Sequence, residues 1–100
     1  MRPETVAYRR VFASVLAVLS DVDPYGLEPG VADGAPADEY EPEAGDLTRL
    51  LLSDGGVTRD DVDDVWQRWF SESLSLRLGV EGVDRLVARL NSVVDAYREA

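Results

Sequence analysis

One hundred residues, 45% of them apolar, carry 20 carboxylates against 10 arginines, a formal charge of −10 with no lysine, histidine or cysteine. That length supports one hydrophobic core without disulfides or metal, and the missing residue types exclude disulfide bridging, thiolate catalysis, cysteine–zinc sites and histidine as general base. An acidic field of this size repels nucleic acid phosphates and anionic membranes and favours basic partners.

The elements follow in chain order. Thr5–Leu19 places Tyr8, Val11, Phe12, Val15, Leu16 and Leu19 at three- and four-residue spacings, which predicts a helix with one apolar stripe. Pro3 fits its first turn, and the helix is expected to stop near Ser20 because Pro24 pushes Asp23 out of the helical region. The apolar stretch Val11–Leu19 is too short to span a bilayer. Arg9 and Arg10 before it loosely imitate a signal peptide, but Asp21 and Asp23 follow at once, so a cytoplasmic soluble protein is expected.

Asp21–Glu43 interrupts the helical pattern with eight carboxylates, four of the five prolines, three glycines and no arginine. Extended to Asp46, the segment holds nine acids and no base, while the rest of the chain holds eleven acids against ten arginines. A uniform adaptation to salt or a demand for solubility would scatter the acids. Long connections without regular structure tend to be functional or disordered, which marks this one as a candidate surface. Pro42 then opens a second helix running to about Ser53 with Leu47, Leu50 and Leu51 inward. The stretch "SDGGVT" is a stop and turn in which Gly55 or Gly56 takes the left-handed conformation.

Thr58 is a suitable N-cap for a third helix with Asp60 and Asp61 in its first turn. Its stripe of Val62, Val65, Trp66, Trp69 and Phe70 is the clearest helical signature in the chain and is expected to be core. "SESLSLRLG" is a frayed helix end or a short extended link. From about Glu81 a fourth helix aligns Val83, Leu86, Val87, Leu90, Val94 and Tyr97. The expectation is one all-α domain over 1–100: a small bundle of about four helices with a long acidic loop between the first and second.

Candidate chemistry is sparse. Asp21-x-Asp23-x-Tyr25-Gly26 begins like a calcium loop, but Ala32 stands where the twelfth-position glutamate is needed. Asp60 and Asp64, four apart on one helical face, resemble a magnesium pair, although acids in a first turn also answer the helix dipole. Glu43-x-x-Asp46 with Asp60-x-x-Asp63 is similar to the paired acidic motifs of all-α nucleotide pyrophosphatases, without their lysine. No nucleophilic triad or phosphate-cradling glycine loop is present, and no catalytic residue, metal or cofactor is assigned.

The acidic segment offers a partner-binding set: Asp21, Asp23, Asp38, Glu39, Glu41 and Glu43 as steering charges, with Tyr25 and Tyr40 as aromatic anchors. The alternative role for the same residues is structural, with the acids complementing the second helix's N-terminus while Tyr40 and Leu27 pin the loop to the core.

Two ordered blocks of this segment, Asp23–Leu27 ("DPYGL") and Gly34–Glu43 ("GAPADEYEPE"), resemble a family of small bacterial proteins described as a domain of unknown function. Val22 stands where relatives can carry tryptophan, and the spacer "EPGVAD" is longer than is usual for them. The resemblance implies a compact bundle of about four helices with no established activity, and some similar proteins act as immunity partners beside bacterial toxins. The expected function is therefore a non-enzymatic acidic module for a basic protein, of the kind an immunity-type inhibitor of a cationic nuclease would be. The alternatives are a structural or homo-oligomeric protein whose acidity serves salt tolerance, and a magnesium-dependent hydrolase.

Overall fold

The computed structural model describes residues 3–24, 26 and 40–99, with four α-helices and no strand among them. Helix α1 spans Pro3–Val22, α2 Glu41–Asp54, α3 Arg59–Phe70 and α4 Leu74–Glu99. The all-α bundle expected from the periodicity is what forms. The acidic connection between α1 and α2 falls largely on 25 and 27–39, which lie outside the described residues.

Each boundary has a local cause. Helix α1 runs two residues past Ser20, and Asp23 leaves it with φ 47°, its N–H still donating to the Leu19 carbonyl at 2.8 Å. The proline acts where expected, excluding right-handed helix at Asp23 itself and no earlier. Helix α2 carries Pro42 in its first turn, where no N–H is required, and ends at Gly55 (φ 81°), whose N–H donates to the Leu51 carbonyl at 3.0 Å. Helix α3 opens with a capping box. The Thr58 hydroxyl accepts the Asp61 N–H at 3.2 Å, and Asp61 accepts the Thr58 N–H at 2.9 Å.

The segment from Leu74 is helical, not an extended link, so α4 begins seven residues before the expected Glu81. Gly79 interrupts it with φ 77° and ψ 162°, a conformation closed to residues with a Cβ. The short stretch before this break is capped by Ser73, whose hydroxyl accepts the Leu76 N–H at 3.3 Å, and also from another helix. Asp63 of α3 accepts the Ser75 N–H at 2.8 Å and the Ser75 hydroxyl at 2.7 Å, answering exposed donors at a helix start.

The apolar stripes meet in one core. Val15 and Leu19 of α1 pack with Leu47 and Leu51 of α2, Val62 and Trp66 of α3, and Leu86 and Leu90 of α4, all fully buried or nearly so. Burial of such side chains supplies about 1.5–3 kcal/mol each, which is what holds helices too short to persist alone. Asn91 of α4 also grips the link between α2 and α3, accepting the Val57 N–H at 2.8 Å and donating to its carbonyl at 3.1 Å.

Among the described residues, α4 is tied to its neighbours by two exposed ion pairs. Asp21 at the end of α1 accepts from Arg89 of α4 at 2.9 Å. Arg59 of α3 forms a two-bond fork to Asp84 of α4 at 2.9 and 3.1 Å. That fork, more than the bare charge, holds the exposed Asp84 carboxyl below the usual carboxylate range and raises the guanidinium.

Candidate functional site

The acidic segment is flanked by Asp23 after α1 and by Tyr40 before α2. These two residues touch: the Tyr40 hydroxyl donates to Asp23 Oδ1 at 2.7 Å across seventeen positions of sequence. Tyr40 is 0% exposed, so its ring is core and its hydroxyl is the polar tip that finds a partner at the core's edge. Asp23 presents the acceptor because its left-handed backbone turns the chain out of α1 at that point. Residues 24–39, with Glu28, Asp33, Asp38 and Glu39 and no base, therefore begin and end at one place on the bundle.

The eight expected partner-binding residues separate in the structure. Asp21 is exposed but engaged by Arg89. Glu41 is exposed in the first turn of α2. Tyr40 and Glu43 are corrections: the first is fully buried and the second 3% exposed, so neither stands on an exposed lip and Tyr40 is not an anchor for a partner. Asp23 belongs to the clasp. Tyr25, Asp38 and Glu39 lie outside the described residues.

One turn beyond Glu43 on α2 is a side-chain cluster that the sequence reading did not assemble. Asp46 is 8% exposed and accepts from three donors. Arg49 pairs with its Oδ1, the Trp69 indole N–H reaches Oδ2 at 2.8 Å, and Arg68 approaches Oδ2 at 3.5 Å. A near-buried carboxylate needs such partners to offset its desolvation. The consequence for Trp69 is outward rotation. It is 47% exposed, where the stripe predicts core, while Trp66 takes the interior position and stacks on Phe70 with centroids 6.1 Å apart.

The helical spacing puts both tryptophans on one stripe. Asp46, twenty-three residues away on another helix, draws Trp69 out, and no local pattern encodes that. The side chains of Arg49 and Arg68 flank it, both largely solvent-exposed. Together with Leu50 and Val65, and with Asp61 and Asp64 opposite, they line a groove of about 310 Å³ between α2 and α3.

Compared with protein families, curated proteins and solved structures, the chain matches none.

Chemistry at this surface is thus read from its own geometry. The acids of the pyrophosphatase-like motif are occupied singly and apart: Asp46 by arginine and indole, Asp63 by Ser75. Asp61 closes the capping box, and Asp21 and Asp23 of the calcium-like motif serve different partners. Among the described residues no three acids are grouped to hold a metal ion, and no helix is long and apolar enough to cross a membrane. What the surface offers is a fixed, half-exposed indole edged by two guanidiniums. Tryptophan and arginine are the residue types that most often carry the energy of a protein interface.

Proposed function

We propose that the chain is a non-enzymatic protein-binding module that takes a basic protein partner in the cytoplasm. The observation that carries this reading is the clasp between Asp23 and Tyr40, which joins the ends of a segment holding Glu28, Asp33, Asp38 and Glu39 and no base, within a stretch from Asp21 to Asp46 that has nine acids on an otherwise nearly neutral chain. Concentrated charge of one sign accelerates encounter with a partner of the other sign and rejects like-charged competitors. Asp38, Glu39 and Glu41 are the steering charges, with Glu43 withdrawn from that set by its burial.

The anchoring role passes to Trp69. Its indole is pre-positioned by Asp46, so less side-chain freedom is lost on binding than for an unheld tryptophan. Arg49 and Arg68, whose charge Asp46 answers, supply apolar stems beside it. The partner class that fits is an immunity-type target, a cationic toxin such as a nuclease, whose phosphate-binding surface an acidic segment would cover. The resemblance of the "DPYGL" and "GAPADEYEPE" blocks to proteins found beside toxins supports the same class.

The test is affinity capture from the native organism's lysate in moderate salt, followed by titration of the captured protein against three forms. These are the wild type, the triple variant Asp38→Asn, Glu39→Gln, Glu41→Gln, and Trp69→Ala. The expected result is one basic protein whose association slows severalfold with the triple variant and whose dissociation quickens with Trp69→Ala. A captured protein that binds the triple variant as fast as the wild type, or capture of no basic protein, overturns the reading.

A further inference from the structure

The start of α4 is patterned unlike the rest of the bundle. From Ser73 to Leu78 polar and apolar residues alternate one for one: Ser73, Leu74, Ser75, Leu76, Arg77, Leu78. That is the two-residue period of an extended strand, yet Leu74–Leu78 is helical. The mismatch shows in the burial. Residues two apart on a helix point about 200° apart, so Leu74 reaches the core at 0% exposure while Leu76 is turned out to 74%. Between Phe70 and Val83, Leu74 is the single fully buried side chain. Beyond Gly79 the spacing is helical, and Val83, Leu86, Leu90 and Val94 are all buried.

Both ends of this stretch lie in left-handed backbone. Ser71 has φ 60° and ψ 24°, which costs a residue with a Cβ, and Gly79 has φ 77° and ψ 162°, a conformation for glycine. A Cβ built at Gly79 meets no atom within 4 Å, so nothing packs over that joint. Between the joints the stretch is held to the bundle by Leu74, by half-buried Leu78 and by the two bonds from Ser75 to Asp63 of α3. A helical run of five residues does not persist once such holds are released.

We propose that residues 72–78 are a hinged strap, which opens about Ser71 and Gly79 while α1–α3 and the rest of α4 stay folded. Opening breaks the Asp63–Ser75 bonds, withdraws Leu74 from the core and relaxes the left-handed backbone at Ser71. Val83, Leu86, Leu90 and Val94 keep the remainder of α4 in place, so the opening stops at Gly79. In the released, extended chain Leu74, Leu76 and Leu78 share one face. The strap therefore has two arrangements: one hides Leu74 and displays Leu76, and the other displays three leucines in a row. Local openings are drawn from segments with few buried apolar contacts, and this one is independent of the partner-binding reading.

The test is amide hydrogen exchange on the full chain through a series of sub-denaturing guanidinium concentrations. The Ser75 and Leu76 N–H groups are bonded only while the strap is closed. Their protection is expected to be roughly tenfold or more below that of Trp66 and Leu86, with a shallower dependence on denaturant. Thiol labelling gives a second measurement. The chain has no cysteine, so Leu74→Cys and Val83→Cys each place one thiol at a fully buried position, on opposite sides of Gly79. The first should react with an aromatic disulfide reagent at least about tenfold faster than the second. Equal protection with equal denaturant slope at Ser75, Leu76, Trp66 and Leu86 would overturn the proposal, as would equal labelling of the two thiols. Loss of protection at Leu86 in step with Ser75 would remove the hinge from Gly79 and overturn it too.

Discussion

Replacing Tyr40 by Phe removes one oxygen from a fully buried side chain and leaves the ring in place, so the perturbation isolates the hydroxyl that closes the acidic segment. Its acceptor is the Asp23 carboxylate at 2.7 Å. Hydrogen bonds to charged groups contribute about 1.5–3 kcal/mol net. Asp23 is partly accessible and recovers some hydration when the phenol is lost, which places the expected cost near the lower bound, about 1.5 kcal/mol. For a chain of this length that corresponds to a melting temperature lower by roughly 6–12 °C.

The backbone at Asp23 supplies a second handle. Its φ of 47° is left-handed, a conformation that favours glycine over residues with a side chain. In the wild type, Asp23→Gly trades the clasp for a relaxed backbone and is expected to be net destabilising. In the Tyr40→Phe background the clasp is already gone, so the same change should cost less than it does in the wild type. Denaturant titrations of the two single variants and the double variant give the coupling directly, with at least about 1 kcal/mol expected. Two outcomes refute the argument: Tyr40→Phe within about 0.5 kcal/mol of wild type, or an Asp23→Gly effect that is the same in both backgrounds.

Other parts of the fold yield sharper local outcomes. Asp63→Ala withdraws both bonds to Ser75 and is expected to cost about 1–2 kcal/mol by thermal melt, with amide exchange faster at Ser75 and Leu76 than in α3. Gly79→Ala meets no neighbour within 4 Å, so its cost, about 1–3 kcal/mol in chemical denaturation, is conformational alone. Trp66 is fully buried and its indole N–H has no acceptor among the described residues, so Trp66→Phe relieves an unsatisfied donor while losing volume. It should cost well under the roughly 3–5 kcal/mol typical of Trp→Ala. The Asp84 carboxyl is held low by Arg59, so its contribution to stability is present above the ordinary aspartate range near pH 3.9 and is lost as pH falls through the depressed folded value. An NMR titration of the Asp84 side chain should show the low midpoint, and Arg59→Gln should return it to the ordinary range.

Most of the fold is legible in the sequence because its signals are local. The Thr58 cap, Pro42 in a first turn, Gly55 as a left-handed stop and the stripe of α1 each rest on residues within a few positions of one another. The departures come from partners far along the chain. Leu74–Leu78 is capped locally by the Ser73 hydroxyl, which accepts the Leu76 N–H at 3.3 Å, and from α3 by Asp63 on Ser75, a partner that no local pattern shows. Trp69 is turned outward by Asp46, and Tyr40 is drawn inward as its hydroxyl meets Asp23. In each case a carboxylate that looks like free surface charge in the sequence acts on a residue twelve to twenty-three positions away. The candidate site was therefore legible as a segment and as a charge, and not as a set of side chains.

That pattern also bears on why the chain carries twenty acids. Asp23, Asp46, Asp61 and Asp63 each make a defined hydrogen bond that closes a segment, orients an aromatic ring or caps a helix start. Asp21 and Asp84 tie helices to α4 through exposed arginines, contributions that salt screens and that are small individually. None of these six depends on the net charge. If the acidity served solubility alone, nine of the twenty acids would have no reason to collect between Asp21 and Asp46 without one arginine among them. Like charges close together in sequence repel one another, a cost that a solubility adaptation could avoid by dispersing them and that a cationic surface would remove on contact. Placing that segment before α2, with Asp46 farther along that helix and holding the Trp69 indole of α3, joins the charge to a pre-formed aromatic edge.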